Sequence, residues 1–451
     1  MISCTAKEVC AAVGGTLLQD GNAVIGVSTD SRSVSAGQMF IPLVGEKFDG
    51  HTYLDNALMG GAEGCLTAKK PETLLPGKFY IQVADTLLAL KALASWYRGR
   101  FEIPMVQVTG SAGKTTTKEM IACVLAQKFH TLRTEANFNN HVGTPQMLLR
   151  LMPEHEAAVI ETGMNHFGEI RYLGEMVRPD FAVITNVGDA HIENLGGTRL
   201  GTLKAKSEIF ENLQKDGTAV LNGDDALLRK LELPFETILC GLGENCDVRV
   251  SNVCENGIRG ITCTVTTPRD VYDLTIPSPG AYMIYPASMA IAIGEKLGLS
   301  KEEIVQGIAS YVPVGSRMHI IHKSEERIII DDCYNANPQA MAEALKILAQ
   351  TDAKRRVAVL GDMGELGDLT EKSHRELGEL TKFLKLDAVI AIGTKAKAII
   401  ETNPSAAWFA TIEEALPAIR FAFSEGTAVL VKASHAMEFG KIVKELEKIS
   451  D

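Results

Sequence analysis

Apolar positions along this chain follow two alternating rhythms. Short continuous runs at residues 103–109, 157–160 and 181–185, each bounded by turn residues, read as buried strands. Between them apolar residues return every three or four positions. Leu87, Leu90, Leu93 and Tyr97 do so from Thr86 onward, which predicts an amphipathic helix. Strands alternating with helices predict a parallel sheet with crossover helices. A less regular, β-rich piece occupies about residues 218–275, and the pattern breaks at 313–316, a linker. Beyond it the runs 327–331, 356–360, 388–392 and 428–431 predict a second doubly wound α/β unit. Before residue 85 the strand-like pieces 23–27 and 38–43 lie among glycine turns and suggest a small α/β module. The predicted fold is therefore α/β with three domains, 1–85, 86–313 and 314–451: a small α/β module, a central parallel-sheet domain with a phosphate loop, and a C-terminal Rossmann-like domain.

Length agrees, since 451 residues exceed one ordinary core and domains usually run to roughly 100–200. A net charge of −11 disfavours broad binding to nucleic acid or to an anionic membrane surface. The N-terminus lacks a basic stretch followed by an apolar one. The best apolar candidate, residues 281–293, is shorter than the ~18 residues of a membrane span and contains Pro286. A cytoplasmic, non-inserted protein is expected. The nine cysteines form no C-x-x-C pair, so buried reduced thiols are expected rather than disulfides or a zinc cluster.

The chemistry starts at Thr109-Gly-Ser-Ala-Gly-Lys-Thr-Thr116, between a predicted strand and a helix. Glycines 110 and 113 let the backbone curl so that the N–H groups of Ser111, Ala112 and Thr116 face a phosphate. Lys114 can reach its outer oxygens and the Thr115 hydroxyl can hold magnesium. The strict Walker spacing would need glycine at 108, where Val108 stands, so this is a shortened G-x-x-G-K-T form. A plain glycine turn with a solvated lysine is the alternative, and such a loop leaves the reaction open.

The loop, extended through Glu119, closely resembles that of the Mur ligase family. Further motifs follow in that family's order: Asn137-Phe-Asn-Asn-His-Val-Gly-Thr-Pro145, Val159-Ile-Glu-Thr-Gly163, Asn186-Val-Gly-Asp-Ala-His191, Ala205-Lys-Ser-Glu-Ile209, Asp331-Asp-Cys-Tyr-Asn-Ala-Asn-Pro338 and Gly361-Asp-Met-Gly-Glu-Leu-Gly367. Near the start, Asp30-Ser-Arg32 and Gly45-Glu-Lys-Phe-Asp-Gly-His51 resemble the family's UDP-substrate module. The chain departs from the family pattern at Tyr282 and Pro286, where a histidine and an asparagine usually line the adenine and ribose side of the site.

The resemblance implies an ATP-dependent amide ligase that joins D-alanyl-D-alanine to a UDP-muramoyl tripeptide through an acyl phosphate. ATP and magnesium would be its cofactors, small molecules its only partners, and a monomer its working form. It implies metal ligands at Thr115, Glu161, His191 and Lys206, and phosphate or substrate contacts from Asn139 and Asn140. An arginine at 317 would reach the γ-phosphate, Asp332 would bind ribose, and Asn335 and Asn337 would face the cleft. Ser31, Arg32, Lys47, Asp49, Gly50 and His51 would hold the uridine diphosphate. Several have a plainer alternative: a helix cap for Glu161, an ordinary polar residue for His191, turns for the asparagine pairs, a surface arginine for Arg317.

For Lys206 the residues add their own argument. Leu203, Lys206, Phe210 and Leu213 share one helical face, while Lys204, Glu208, Glu211 and Lys215 form a charged opposite face. A lysine on an apolar face has a lowered pKa, so its neutral amine is available to carbon dioxide, and a carbamylated Lys206 would offer magnesium two oxygens. A salt bridge or snorkelling to the surface is the alternative. Three other readings of the whole chain stay open: a sister ligase adding one amino acid or a folylpolyglutamate-type enzyme, a nucleotide-switched binding protein without ligase activity, and a degenerate paralogue, suggested only by Tyr282 and Pro286.

Overall fold

A computed structural model of the chain describes residues 1–189, 192–324 and 326–449. Its strands gather into sheets of five, nine and six, with a small two-stranded hairpin. The first sheet runs Thr16–Gln19, Phe79–Gln82, Gly64–Thr67, Gln38–Phe40, Gly26–Ser28. All its pairs are parallel except the first. The two predicted pieces here are shorter than expected. Val24 makes only an isolated bridge to Cys4, and the chain after Phe40 turns into the hairpin Val44–Gly45/Phe48–Asp49.

The helix Thr86–Arg98 forms where the spacing placed it, capped by the Asp85 carboxylate, which accepts from Leu88 N at 2.9 Å. Its buried face carries Leu90, Leu93 and Tyr97, and the Tyr97 hydroxyl donates to Leu151 O at 2.6 Å and accepts from Ile2 N at 2.6 Å. One apolar cluster therefore runs without a break from Cys4 through this helix to Ile160 and Val177. The small module is welded to the central sheet.

In the central sheet every pair from Thr131–Arg133 across to Val248–Glu255 is parallel. The stretch expected to be irregular continues this sheet and closes it with two antiparallel strands, Ile261–Thr266 and Val271–Ile276. Behind it the helix Lys114–Leu125 packs on Ile284–Lys296. The apolar stretch near Pro286 is thus a core helix, with the proline in its first turn where no N–H is required. No helix among the described residues is long and apolar enough to cross a membrane.

The third sheet is ordered His319–His322, Ile328–Asp331, Thr427–Lys432, Arg355–Gly361, Ala388–Ile392, Ala407–Phe409, parallel except at its first strand. Helices cover both faces. Ile328 and Ile330 enter one core and Ile329 the other, which explains a continuous apolar run in place of alternation.

Candidate active site

The strands Phe181–Ile184, Met105–Thr109 and Ala157–Glu161 lie side by side and end at one carboxyl edge, where α/β sheets place ligands. The phosphate loop leaves the middle strand there. Gly113 holds φ +78°, a left-handed conformation open to glycine, and caps the helix that starts at Lys114. Gly110 is needed for a different reason: a Cβ on it would lie 1.8 Å from Thr185 Oγ1. The loop is tied to the neighbouring strand end. Asn186 clasps the Ala112 peptide, its Oδ1 accepting from Ala112 N at 2.9 Å and its Nδ2 donating to Ala112 O at 3.1 Å. Thr185 Oγ1 donates to the same carbonyl at 2.6 Å.

A cavity of about 300 Å³ opens between this loop and the carboxyl edge of the third sheet. It is lined by residues 111–117, Asn139, Glu161, Asn186, Tyr282, Tyr285, Tyr311, Arg317, Asp332, Tyr334, Asn335, Asn337 and Lys432. Most of the predicted nucleotide residues therefore converge on one space. Lys114 Nζ donates to Gly110 O at 2.9 Å, and burial lowers its pKa, against the pull of the Glu161 carboxylate and with the push of Arg317. Glu161 closes its strand with Oε1 accepting from Asn139 Nδ2 at 2.9 Å, while Oε2 is buried with no hydrogen-bond partner. A buried orphan carboxylate oxygen in the wall of this cavity suits a hard cation.

Lys206 is 2 % exposed and, among the described residues, its amine has no hydrogen-bond or ion-pair partner. Burial holds its pKa well below the ordinary lysine value, and Lys114 lowers it further. The expected opposite charged face needs correction. The helix ends at Ser207 and tightens into a 3₁₀ turn over Glu208–Asn212, which rotates Glu208 inward. There its carboxylate accepts from Gly168 N at 2.7 Å and Arg171 N at 3.3 Å, capping the helix Glu169–Val177. Lys204 is exposed. His191 lies outside the described residues, and no group of three His, Cys, Asp or Glu side chains among them is arranged to hold a metal.

Some predicted residues stand apart from the cavity. Asn140 is exposed, and its Oδ1 accepts from Val142 N and Gly143 N at 3.0 and 2.8 Å, the turn role weighed against a substrate contact. Asn337 does line the cavity, although its Oδ1 also caps the helix Pro338–Ala349. Asp332 pairs through Oδ2 with Lys432 Nζ at 2.5 Å.

In the first module Arg32 is exposed, reaching back to Asp30 at 2.9 and 2.7 Å, and Lys47 is exposed on the hairpin. Ser31 is half-buried beside them. His51 is not free to face a ligand. Its side chain is 6 % exposed, with Nδ1 on Asp49 Oδ1 at 2.7 Å and Nε2 accepting from Ala68 N at 3.0 Å, while Asp49 also pairs with Lys69 at 2.5 Å. These contacts pin the turn at Gly50 to the sheet, and a Cβ on Gly50 would meet Leu43 O at 2.7 Å.

Tyr285, Tyr311, Tyr334 and Lys432 line the cavity without having been singled out. Lys432 had a readable signal: it ends an apolar strand at a carboxyl edge, as Glu161 does.

Three family models match in order: "Mur ligase family, catalytic domain" over residues 23–98, "Mur ligase middle domain" over 108–294, and "Mur ligase, glutamate ligase domain" over 316–435. The chain is 34% identical to the UDP-N-acetylmuramoyl-tripeptide–D-alanyl-D-alanine ligase of Escherichia coli (strain K12), with 99% of each covered. Among solved structures it is similar to MurF from Acinetobacter baumannii, with TM-score 0.91, 32% identity and 99% of each chain covered. It is also similar to MurF ligase from Thermotoga maritima in complex with ADP, with TM-score 0.83, 28% identity, and 94% of this chain and 97% of that one covered. With its motifs, its three sheets and its whole length in agreement, the chain belongs to the Mur ligase family.

Proposed function

We propose that this chain is an ATP-dependent ligase that joins D-alanyl-D-alanine to UDP-N-acetylmuramoyl-tripeptide during peptidoglycan precursor synthesis. The observation that carries the reading is the cavity in which the phosphate loop and Glu161 face Arg317, just before the third sheet's first strand, and Tyr334, just after its second. The end-to-end likeness to enzymes named for this reaction selects it over a sister ligase adding a single amino acid.

Residues 1–85 would bind the uridine nucleotide, 86–313 the ATP phosphates, and 314–451 would complete the site. We infer that the chain works as a monomer in the cytoplasm, where ATP is supplied.

In this reading Lys114 leaves the Gly110 carbonyl to meet the outer phosphate oxygens, and the amides of residues 111–116 cradle them. Arg317 faces the γ-phosphoryl. The terminal carboxylate of the tripeptide attacks that phosphorus and releases ADP. The amine of the dipeptide then attacks the acyl carbon, loses a proton, and expels phosphate. Positioning and fixed charge supply most of the acceleration. Tyr282, Tyr311 and Tyr334 wall the cavity and help keep water from the acyl phosphate.

Thr115, Glu161, His191 and Lys206 would hold magnesium, which when bound offsets phosphate charge. The orphan Glu161 Oε2 supports this assignment. The buried, unpartnered amine of Lys206 supports its carbamylation.

The test is product analysis of purified protein given ATP, magnesium, each UDP-tripeptide, and either D-alanyl-D-alanine or single amino acids. Amide product only with the dipeptide, matched by ADP, supports the reading. Product only with a single amino acid would make the chain a sister ligase. ATP hydrolysis with no amide would make it a nucleotide-switched protein.

A further inference from the structure

Phosphates held by residues 111–116 leave the nucleoside to run along the rest of the cavity, between the start of the helix Ile284–Lys296 and the start of the helix Pro338–Ala349. Of the tyrosines lining that space, Tyr334 carries the Arg317 guanidinium 3.8 Å from its ring centre, and Tyr311 is buried beside Thr116. Tyr282 packs against the apolar cores of both the central and the third domain. Gly280 holds φ +100°, and a Cβ there would collide with the Tyr282 ring. The ring therefore lies over the glycine, and its position is set before a ligand arrives.

A site rejects the wrong base chiefly through buried groups of fixed donor or acceptor sense, which a mismatched edge leaves unpaired. Along this turn such groups are already used. Met283 N donates to Gly280 O at 3.0 Å, Pro286 has no N–H, and Tyr285 spends its hydroxyl hydrogen on Asp224 Oδ2 at 3.1 Å. The Tyr282 hydroxyl has no hydrogen-bond partner among the described residues. Burial first, and the Asp332 carboxylate second, push its pKa up, so it stays protonated. Such a hydroxyl can donate or accept, and so meets an amine or a carbonyl equally well. Across the cavity Asn335 and Gln339 are exposed, and Glu343, paired with Lys346 at 2.8 Å, is half-buried. A polar group that can turn to water loses little when the base edge does not match it.

We infer that the chain holds the nucleobase by its face against Tyr282 and reads its edge so weakly that inosine nucleotides serve about as well as adenosine nucleotides. Hypoxanthine carries a carbonyl and a ring N–H where adenine carries an amine and a bare nitrogen, so it reverses the hydrogen-bonding sense of that edge while keeping the same face. The inference rests on the use of ATP proposed above and names which triphosphates the same cavity accepts.

The experiment is titration calorimetry of the full chain with magnesium and either ADP or IDP, alongside steady-state ligation with ATP or ITP. In the parent the two Kd values should agree within about tenfold, and kcat/KM for ITP should fall within about tenfold of that for ATP. Tyr282→Phe keeps the face and should leave both Kd values within about threefold. Tyr282→Ala removes it and should weaken both by the same factor, about tenfold or more.

IDP bound more than about tenfold more weakly than ADP would overturn the inference, since the edge would then be read by groups of fixed sense. So would Tyr282→Ala with unchanged Kd values, or Tyr282→Phe losing as much as Tyr282→Ala, the mark of a hydroxyl contact without a stack. If Tyr282→Ala does not fold, Tyr282→Leu takes its place, and the parent comparison needs no variant. Binding and ligation confined to the adenosine nucleotides would sink this inference alone. No binding of ADP and no amide from ATP would sink the functional reading and the inference with it.

Discussion

Replacing Gly110 with alanine probes the phosphate loop where its geometry is tightest. The added methyl would sit 1.8 Å from Thr185 Oγ1, so one of the two must move by roughly 1.5 Å to reach ordinary contact. Thr185 cannot yield freely, because its hydroxyl donates to Ala112 O at 2.6 Å. The loop cannot either, because Asn186 grips the Ala112 peptide from both sides. The backbone adds strain, since φ at Gly110 is +155°.

Overpacking of this kind costs about 1–3 kcal/mol. In a domain of 150–250 residues that corresponds to a fall in Tm of roughly 2–12 °C. A cradle displaced by about an ångström should cost on the order of a hundredfold in kcat. The assay is ligation rate and Tm for Gly110→Ala, Thr185→Ala and the double variant. Thr185→Ala alone loses one hydrogen bond, about 1 kcal/mol. It also removes the colliding oxygen, so the double variant should be faster than Gly110→Ala, though slower than the parent because the backbone strain remains. A Gly110→Ala chain within twofold of the parent, or a double variant with no recovery, would refute the reasoning.

Lys114→Ala should abolish ligation while leaving the melting profile close to the parent's, as its amine spans only the loop's own carbonyl in the resting state; near-normal turnover would contradict the loop assignment. Arg32→Ala, at an exposed side chain bound only to Asp30, should raise KM for the UDP substrate with little change in KM for ATP; equal rises would place Arg32 elsewhere. Lys206→Ala should be inactive and regain activity with short carboxylic acids, and stripping bicarbonate from the parent should reversibly lower its rate; full activity in the variant would end the carbamate reading. His374 is buried, its Nε2 accepting from Met363 N at 3.0 Å and its Nδ1 on Thr370 O at 2.7 Å, and burial lowers its pKa from 6.5. Below that value the unfolded chain binds the extra proton, so stability is full above about pH 6.5 and falls as the pH drops. Tm should decline from pH 7 to 5, and the decline should shrink in His374→Gln; an unchanged slope would reject this.

The parts of the fold that were legible in sequence are those governed by local period. The helix Thr86–Arg98 announced itself through Leu90, Leu93 and Tyr97, and the third sheet through apolar runs that both of its faces bury. The strands Ile261–Thr266 and Val271–Ile276 bury alternate residues, an alternation unlike the continuous apolar runs of the parallel strands. What stayed hidden was tertiary. Glu208 reads as a surface charge until a 3₁₀ turn carries it to the end of another helix, and His51 reads as a ligand until Asp49 and Ala68 occupy both ring nitrogens. Within the site, Lys114, Glu161 and Arg317 stand at the strand ends and linker where sequence placed them. The engagement of Asp332 by Lys432, 100 residues away, leaves no trace in local pattern.

The central claim, amide formation through an acyl phosphate, is tested most directly by isotope transfer. UDP-tripeptide carrying ¹⁸O in both oxygens of its terminal carboxylate is supplied with ATP, magnesium and D-alanyl-D-alanine, and both products are weighed by mass spectrometry. The account predicts one ¹⁸O retained in the amide carbonyl and the other in the released phosphate, with amide and phosphate formed in equal amounts. Phosphate free of ¹⁸O, or phosphate released without amide, would contradict it.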